Sequence, residues 1–278
     1  VLLIGQALGA RVIVVDVVQA RLDHALSLGA EAAVNAAVVG APVDIATAAT
    51  ATSTATTLSQ IQIEYDAARA ANPGTVTVLR LTAPQITGDA ALVLGSYTCV
   101  IISGTINLNS GVTGMTGLNL EYVSLSGGII DGGNTTGRNG LAFNGCARVL
   151  VDHMTLRNFG DKATRVNGSD IIAFDAGGTP CIVAYSTING GAARGIWTKG
   201  AQAGFIFTDN TASNVNMDGI DIDAFTTNSI VKFNITNGSV RTGIFVEESA
   251  KHNQVIGNTC NFNSLAINVQ STVAGPTS

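Results

Sequence analysis

Acidic side chains recur at a spacing that could support acid–base chemistry. Asp221 and Asp223 alternate with isoleucines in residues 220–223, and Glu247 follows 24 residues after Asp223. Alternation of this kind is typical of a β-strand with one buried face, so both aspartates are expected to face solvent. Two carboxyl groups held side by side repel as anions, and one of them then retains its proton. A protonated acid beside a carboxylate is the minimum set for cleaving a glycosidic bond.

The spacing of these acids belongs to a repeat in the second half of the chain. Three columns of residues share a period of 24: Ile172, Ile196, Ile220 and Ile244, with Ile267 one residue short; Val183, Phe207, Val231 and Val255; and Asn210, Asn234 and Asn258. Such a period marks a solenoid whose repeats stack to bury their apolar faces. The residues between the apolar segments are Gly, Asn, Ser and Thr, which favour turns over helices. The sequence therefore predicts an all-β, single-stranded parallel β-helix with an inward asparagine ladder.

Stacked turns would bring the acids together. Neighbouring strands lie about 4.8 Å apart, so Asp223 is expected beside Glu247 and Asp221 diagonal to Glu247. The first pair suits the separation of about 5–5.5 Å in retaining glycosidases, and the second suits the 6.5–9.5 Å of inverting ones. The sequence leaves this choice open, and all three acids are candidate catalytic residues.

Other side chains in the same columns are candidates for binding a substrate. Trp197 is the only tryptophan and shares the column of Asp221, where its flat ring could stack on a sugar. The basic candidates are Arg194, Lys199, Arg241, Lys251 and His252. The alternative is that these acids are merely solvated and that Lys199, between Asp175 and Asp223, forms an ion-pair ladder that sets the register.

The composition limits the class of protein. Of 278 residues, 46% are hydrophobic, 12% are charged and 32 are glycine, which suits many short buried strands joined by tight turns. The net charge of -5 argues against a nucleic-acid partner, because binding phosphates requires a basic surface. No run of 18 apolar residues is present, so no membrane-spanning segment is expected.

Seven segments occupy the same place in successive turns: CVIISGTINL, EYVSLSGGIIDG, RVLVDHMTLRNFG, IVAYSTINGG, FIFTDNTASN, IVKFNITNG and QVIGNTCNF. A helix is predicted at residues 58–71, before the first turn. Over about residues 57–278 this pattern resembles the pectin-lyase-like superfamily of right-handed parallel β-helix proteins. The resemblance implies a polysaccharide or oligosaccharide partner and an extracellular or periplasmic location. The oligomeric state stays open, a trimer included.

Three functions fit these observations. The first is a cofactor-free enzyme that hydrolyses glycosidic bonds with Asp221, Asp223 and Glu247. The second is a calcium-dependent polysaccharide lyase, in which Asp218, Asp221 and Asp223 bind Ca²⁺ and Arg241 or Lys251 removes a proton. The third is a non-catalytic carbohydrate-binding or structural β-helix.

Two further segments carry weaker signals. Asp152–His153 resembles a pair in pectate lyases whose acid helps to bind calcium, but a structural role is favoured. Residues 1–36, with GARVIVVD at 9–16 and helical spacing at 17–29, resemble a fragment of the nucleotide-binding domain of medium-chain alcohol dehydrogenases. The glycine-rich phosphate loop is absent, so no nucleotide cofactor is expected. This fragment is predicted to form an α/β or helical cap, followed by a low-complexity linker at 37–56.

Overall fold

A computed structural model of the chain describes residues 13–16, 32–35, 49–135, 137–161, 163–166, 168–175, 180–200, 203–223, 225–247 and 249–270, with the backbone alone for the first two ranges. The chain divides into two compact units, one comprising Val1–Ala49 and Asn72–Val76, the other Thr50–Ala71 and Thr77–Ser278. In the first unit, strands β1 (Ile13–Asp16) and β2 (Ala32–Asn35) pair in parallel. Strand β1 lies within the strand predicted at 9–16, whereas the helix predicted at 17–29 lies outside the described residues.

The second unit is a right-handed parallel β-helix of about nine turns, with about 24 residues in each turn. Each complete turn contributes one strand to each of three sheets. Sheet I has nine described strands: β3 (Ala49–Ser53), β4 (Thr77–Leu81), β7 (Thr98–Ile102), β10 (Glu121–Ser126), β13 (Ala147–Asp152), β16 (Ile182–Ala184), β19 (Ile206–Thr208), β22 (Ile230–Lys232) and β25 (Gln254–Ile256).

The other two sheets have eight described strands each. Sheet II consists of β5 (Gln85–Gly88), β8 (Thr105–Leu108), β11 (Ile129–Asp131), β14 (Thr155–Phe159), β17 (Thr187–Gly191), β20 (Thr211–Val215), β23 (Ile235–Asn237) and β26 (Thr259–Asn261). Sheet III consists of β6 (Leu92–Val93), β9 (Met115–Leu118), β12 (Leu141–Asn144), β15 (Ile172–Asp175), β18 (Ile196–Lys199), β21 (Asp218–Ile222), β24 (Thr242–Val246) and β27 (Leu265–Val269).

The register of the strands confirms the predicted 24-residue stacking. In sheet III, Ile196 pairs with Ile172 and Ile220, and the column continues through Ile244 to Ile267. In sheet I, Phe207 lies between Val183 and Val231 in the same way. Each of the seven predicted segments contributes one strand to sheet I and one to sheet II. The fold class predicted from the period is therefore confirmed.

The asparagine ladder is also confirmed, at the corner between sheets I and II. The side-chain amide of Asn210 donates to Oδ1 of Asn234 at 3.0 Å, and that of Asn234 donates to Oδ1 of Asn258 at 3.0 Å. The residues before them, Asp209 and Phe233, have φ angles of 56°. This left-handed conformation turns the chain sharply and leaves each asparagine pointing inward, where it satisfies backbone groups that strands cannot reach.

The predicted helix forms as α1 (Leu58–Ala71) and covers the first turn of the solenoid. Its buried side chains Leu58, Ile61 and Tyr65 belong to the same apolar core as the inward residues of the strands. The low-complexity segment behaves differently from the prediction, because its residues 49–53 form β3 instead of an irregular linker. Among the described residues, no helix is long and apolar enough to span a membrane.

Candidate functional site

Two outward-facing columns of sheet III gather most of the candidate residues. The first column runs through Ala142, Ala173, Trp197, Asp221 and Phe245. The second lies two residues further along each strand and contains Asn144, Asp175, Lys199, Asp223 and Glu247. The residues between these positions are buried, so alternation along each strand sends the polar residues to the outer face, as the sequence predicts; they are Phe143, Phe174, Thr198, Ile222 and Val246.

Asp223 and Glu247 form a contacting pair of carboxyl groups at the ends of β21 and β24. Oδ2 of Asp223 accepts a hydrogen bond from Nε1 of Trp197 at 2.9 Å, and the Asp223 side chain is also hydrogen-bonded to Glu247. Burial, this hydrogen bond and the negative charge of Asp223 raise the pKa of Glu247 from 4.5 to about 7, although Arg194 and Arg241 oppose the rise. Near neutral pH Glu247 therefore still binds a proton, which it can donate to Asp223 in their hydrogen bond.

Asp221 is placed differently from the prediction that it faces solvent. Its side chain is 0% exposed, and its Oδ2 accepts hydrogen bonds from Nε of Arg194 at 2.6 Å and from Nη2 of Arg241 at 3.4 Å. Burial raises the pKa of Asp221 well above its ordinary value; Arg194 opposes this, while Asp218 and Glu247 add to it. The prediction failed because the two arginines, from the turns before β18 and β24, fold over the outer face of the sheet and cover the carboxyl group.

The same arginines hold two further buried aspartates. Asp218 is 0% exposed, and its two carboxylate oxygens accept from Nε of Arg241 at 2.8 and 2.9 Å. Asp170 accepts from Nη1 of Arg194 at 3.3 Å and from its backbone amide at 3.2 Å. We call these three aspartates and two arginines the buried charge layer. Arg194 and Arg241, predicted to contact a substrate, instead neutralise buried carboxylates.

Trp197 is half-buried, and its ring lies among charged groups. The guanidinium carbon of Arg194 lies 4.5 Å from the centre of the indole, and Nζ of Lys199 lies 5.4 Å from it. Both distances are within the range of cation–π attraction. The predicted open stacking platform is therefore partly covered, and the clearest observed role of the indole is to fix Asp223 through its N–H group.

The residues proposed to bind calcium do not fit that ion. Ca²⁺ requires six to eight oxygen ligands at roughly 2.3–2.6 Å. Asp218 with both oxygens and Asp221 with Oδ2 are buried against arginine, and binding an ion there would bring a third cation against two guanidinium groups. In the part of the chain that the structure describes, no cluster of three or more His, Cys, Asp or Glu side chains is suited to a metal.

The remaining candidates lie at corners of the solenoid. Lys251 and His252 occupy the turn after β24 with exposed side chains, and their role in substrate binding stays a prediction. Asp152 and His153 pair with each other, with Oδ2 and Nδ1 2.8 Å apart, at the corner between sheets I and II. His153 also stacks on Tyr185 with ring centres 5.0 Å apart. These contacts give Asp152 and His153 a structural role away from sheet III.

Sequence reasoning missed two polar residues beside the site. Asn144 precedes Asp175 in the second column, but the two are 31 residues apart in the sequence, so a search at a period of 24 does not join them. Asn139 lies in the turn before β12. Both line a cavity of about 270 Å³ on the outer face of sheet III, together with Asp175 and Trp197.

No protein-family model and no curated protein matches the chain. The structure is similar to that of a pectate lyase from Bacillus sp. N165, solved in complex with trigalacturonate, with 11% sequence identity and a TM-score of 0.49. The similarity covers 80% of this chain and 86% of that chain. The site is therefore interpreted below from its own residues.

Proposed function

We propose that this protein processes polysaccharides by cleaving glycosidic bonds, with Glu247 as the proton donor and Asp223 as its partner carboxylate. The proposal depends on one observation: the two side chains are hydrogen-bonded to each other, and the pKa of Glu247 is raised to about 7. A general acid is most effective when its pKa lies near the working pH. Two carboxyl groups whose environments separate their protonation states are the usual sign of such an acid and base pair.

In the proposed reaction, the glycosidic oxygen of the substrate replaces Asp223 as the acceptor of the Glu247 proton. The proton moves from Glu247 to that oxygen while the C–O bond breaks, and the bonding electron pair leaves with the departing sugar. Asp223 then faces a cationic sugar ring as an anion. In a retaining reaction it forms an ester with that ring, and water later hydrolyses the ester as Glu247 takes back a proton.

The positions of the two residues on neighbouring strands favour a retaining reaction. The strand spacing of about 4.8 Å is nearer to the 5–5.5 Å that separates the carboxyl groups of retaining enzymes than to the 6.5–9.5 Å of inverting ones. The inverting alternative required Asp221 as the second group. Asp221 is covered by Arg194 and Arg241, which argues against this alternative.

The test is a reducing-end assay on a panel of neutral and acidic polysaccharides. Glu247→Gln and Asp223→Asn are each expected to lower the rate at least 100-fold, since acid–base groups commonly contribute 10²–10⁴-fold. Glu64→Gln, an equal change on helix α1, serves as the matched control and should retain the rate. Proton NMR of the first product identifies a retaining or an inverting reaction.

Three outcomes would contradict the proposal. Full activity in both variants would remove Glu247 and Asp223 from the chemistry. Products that absorb in the ultraviolet, with a rate abolished by EDTA, would indicate a calcium-dependent lyase. Glycan binding without any cleavage would indicate a binding module.

A further inference from the structure

The cavity on sheet III adjoins the proposed catalytic pair through one side chain. Trp197 lines the cavity and also donates its N–H group to Asp223. A ligand in the cavity would therefore lie one side chain away from Asp223, on the side of the turns that precede Trp197. The volume of about 270 Å³ lies just below the roughly 300–1,000 Å³ of pockets for drug-sized ligands, which suits a single sugar ring.

The floor and the wall of the cavity match the shape of such a ring. The first column of sheet III carries only small side chains here, Thr116, Ala142 and Ala173, and these leave the space open. The indole of Trp197 stands at one end. A pyranose has flat C–H faces, and such faces pack well against alanine methyl groups and an aromatic ring.

The cavity is lined by four polar side chains, those of Thr116, Asn139, Asn144 and Asp175. Asp175 contributes a carboxylate, and Asn139 contributes Oδ1, which is buried and has no hydrogen-bond partner among the described residues. A buried carbonyl oxygen without a hydrogen-bond partner is unfavourable, and a ligand hydroxyl could relieve this by donating a hydrogen bond to it. Asn144 adds an amide that can donate or accept.

The charges around the cavity disfavour an acidic sugar. Among the described residues, none that lines it is Lys, Arg or His. Arg194, which lies over Trp197, is directed at buried aspartates. Arg138, next to Asn139, donates to the backbone oxygens of Gly111 and Gly137. Lys199, in register with Asp175 on the next strand, has its ammonium group over Trp197. A uronate carboxylate in the cavity would meet Asp175 at close range, and like charges in a partly buried site repel strongly.

We infer that this cavity is a subsite for one neutral sugar ring of an uncharged polysaccharide, and that Asp175 excludes uronic acids from it. The inference rests on the proposed function in treating that sugar as part of the substrate. The ring binds with its hydroxyl groups donating to Asn139 and Asp175.

The experiment measures binding in a Glu247→Gln background, so that cleavage does not interfere. Neutral tetrasaccharides of glucose, mannose, galactose and xylose are compared with tetrasaccharides of galacturonate and mannuronate, using calorimetry and the fluorescence of Trp197. At least one neutral tetrasaccharide is expected to bind ten or more times more tightly than either uronate. Asp175→Lys should shift this preference at least tenfold towards the uronates, and Asp175→Asn should shift it less in the same direction. Glu64→Lys, with the same change of charge on helix α1, should leave it unchanged.

The inference is overturned when a uronate binds best before Asp175 is changed, when neither Asp175 variant alters the preference, or when none of the tetrasaccharides binds. Circular dichroism confirms that each variant is folded, and Asp175→Asn, nearly the same size as the native residue, covers the case in which lysine is not tolerated. Failure of the proposed function looks different. A neutral glycan that binds but is never cleaved by the native protein leaves the subsite intact, whereas Glu247-dependent cleavage of a uronate refutes the subsite alone.

Discussion

The fluorescence of Trp197 should report the protonation of Glu247 directly. Trp197 is the only tryptophan in the chain, and its N–H group donates to the carboxylate that is hydrogen-bonded to Glu247. When Glu247 loses its proton, the hydrogen bond to Asp223 is replaced by repulsion, and the surroundings of the indole change. We therefore expect a transition in emission with a midpoint near pH 7.

Two substitutions test whether Glu247 causes this transition and how far Asp223 raises the pKa of Glu247. Glu247→Gln should abolish the transition. Asp223→Asn removes the negative charge that raises the pKa of Glu247 but leaves burial, the largest cause, in place. The pKa of Glu247 should then fall below about 7 but stay above its ordinary value of 4.5, which carbon NMR of labelled glutamate carboxyls can follow.

The control concerns histidine, which titrates in the same pH range. His252→Gln, in the turn after β24, should leave the transition unchanged. A flat titration in the native protein, or a transition that persists in Glu247→Gln, would refute the assignment of a shared proton to Asp223 and Glu247.

Three predictions concern stability. Asn234→Ala should lower the free energy of unfolding in urea by about 2–3 kcal/mol. The side chain of Asn234 forms hydrogen bonds with both neighbouring turns, and each bond contributes a net stabilisation of about 0.5–1.5 kcal/mol. Asn258→Ala, on the last described turn, should cost less. Arg194→Ala should cost about 3–5 kcal/mol, since it leaves buried carboxylates without their partner, and the loss should grow with pH as Asp221 is forced to ionise. The folded state binds the Glu247 proton more tightly than the unfolded state, so stability should decrease as pH rises from 4.5 to about 7, less steeply in Glu247→Gln.

The 24-residue period predicted the geometry of the fold because a parallel β-helix converts sequence spacing directly into neighbouring positions. Ile220 lies between Ile196 and Ile244, and Asp223 reaches Glu247, as the spacing requires. Each turn has the same three strands and nearly the same corners. Residues 24 positions apart in the sequence therefore lie side by side on neighbouring turns wherever the corners keep their length.

The prediction of neighbouring residues from the 24-residue period was less accurate where corners change length or where a side chain reaches into another column. Asn144 and Asp175 are neighbours across a connection of 31 residues, so the period did not reveal them as a pair. Asp221 was expected to be exposed because it points away from the core. Its burial depends on the direction taken by Arg194 and Arg241, which are long side chains from turns, and no periodicity specifies their direction.

The buried charge layer is better explained by the chemistry of the site than by stability. Burying paired charges gains little over apolar packing, and replacing such pairs with apolar residues is often neutral or favourable. The preceding turns illustrate this, because the position equivalent to Asp221 holds Ala142 and Ala173. Where the layer lies next to Glu247, its arginines lower the pKa of that residue while burial and Asp223 raise it. This balance leaves the pKa of Glu247 at about 7, so that at neutral pH the residue can both donate and accept a proton. If apolar residues replaced the layer, no arginine would lower the pKa of Glu247, and Glu247 would hold its proton too tightly for transfer.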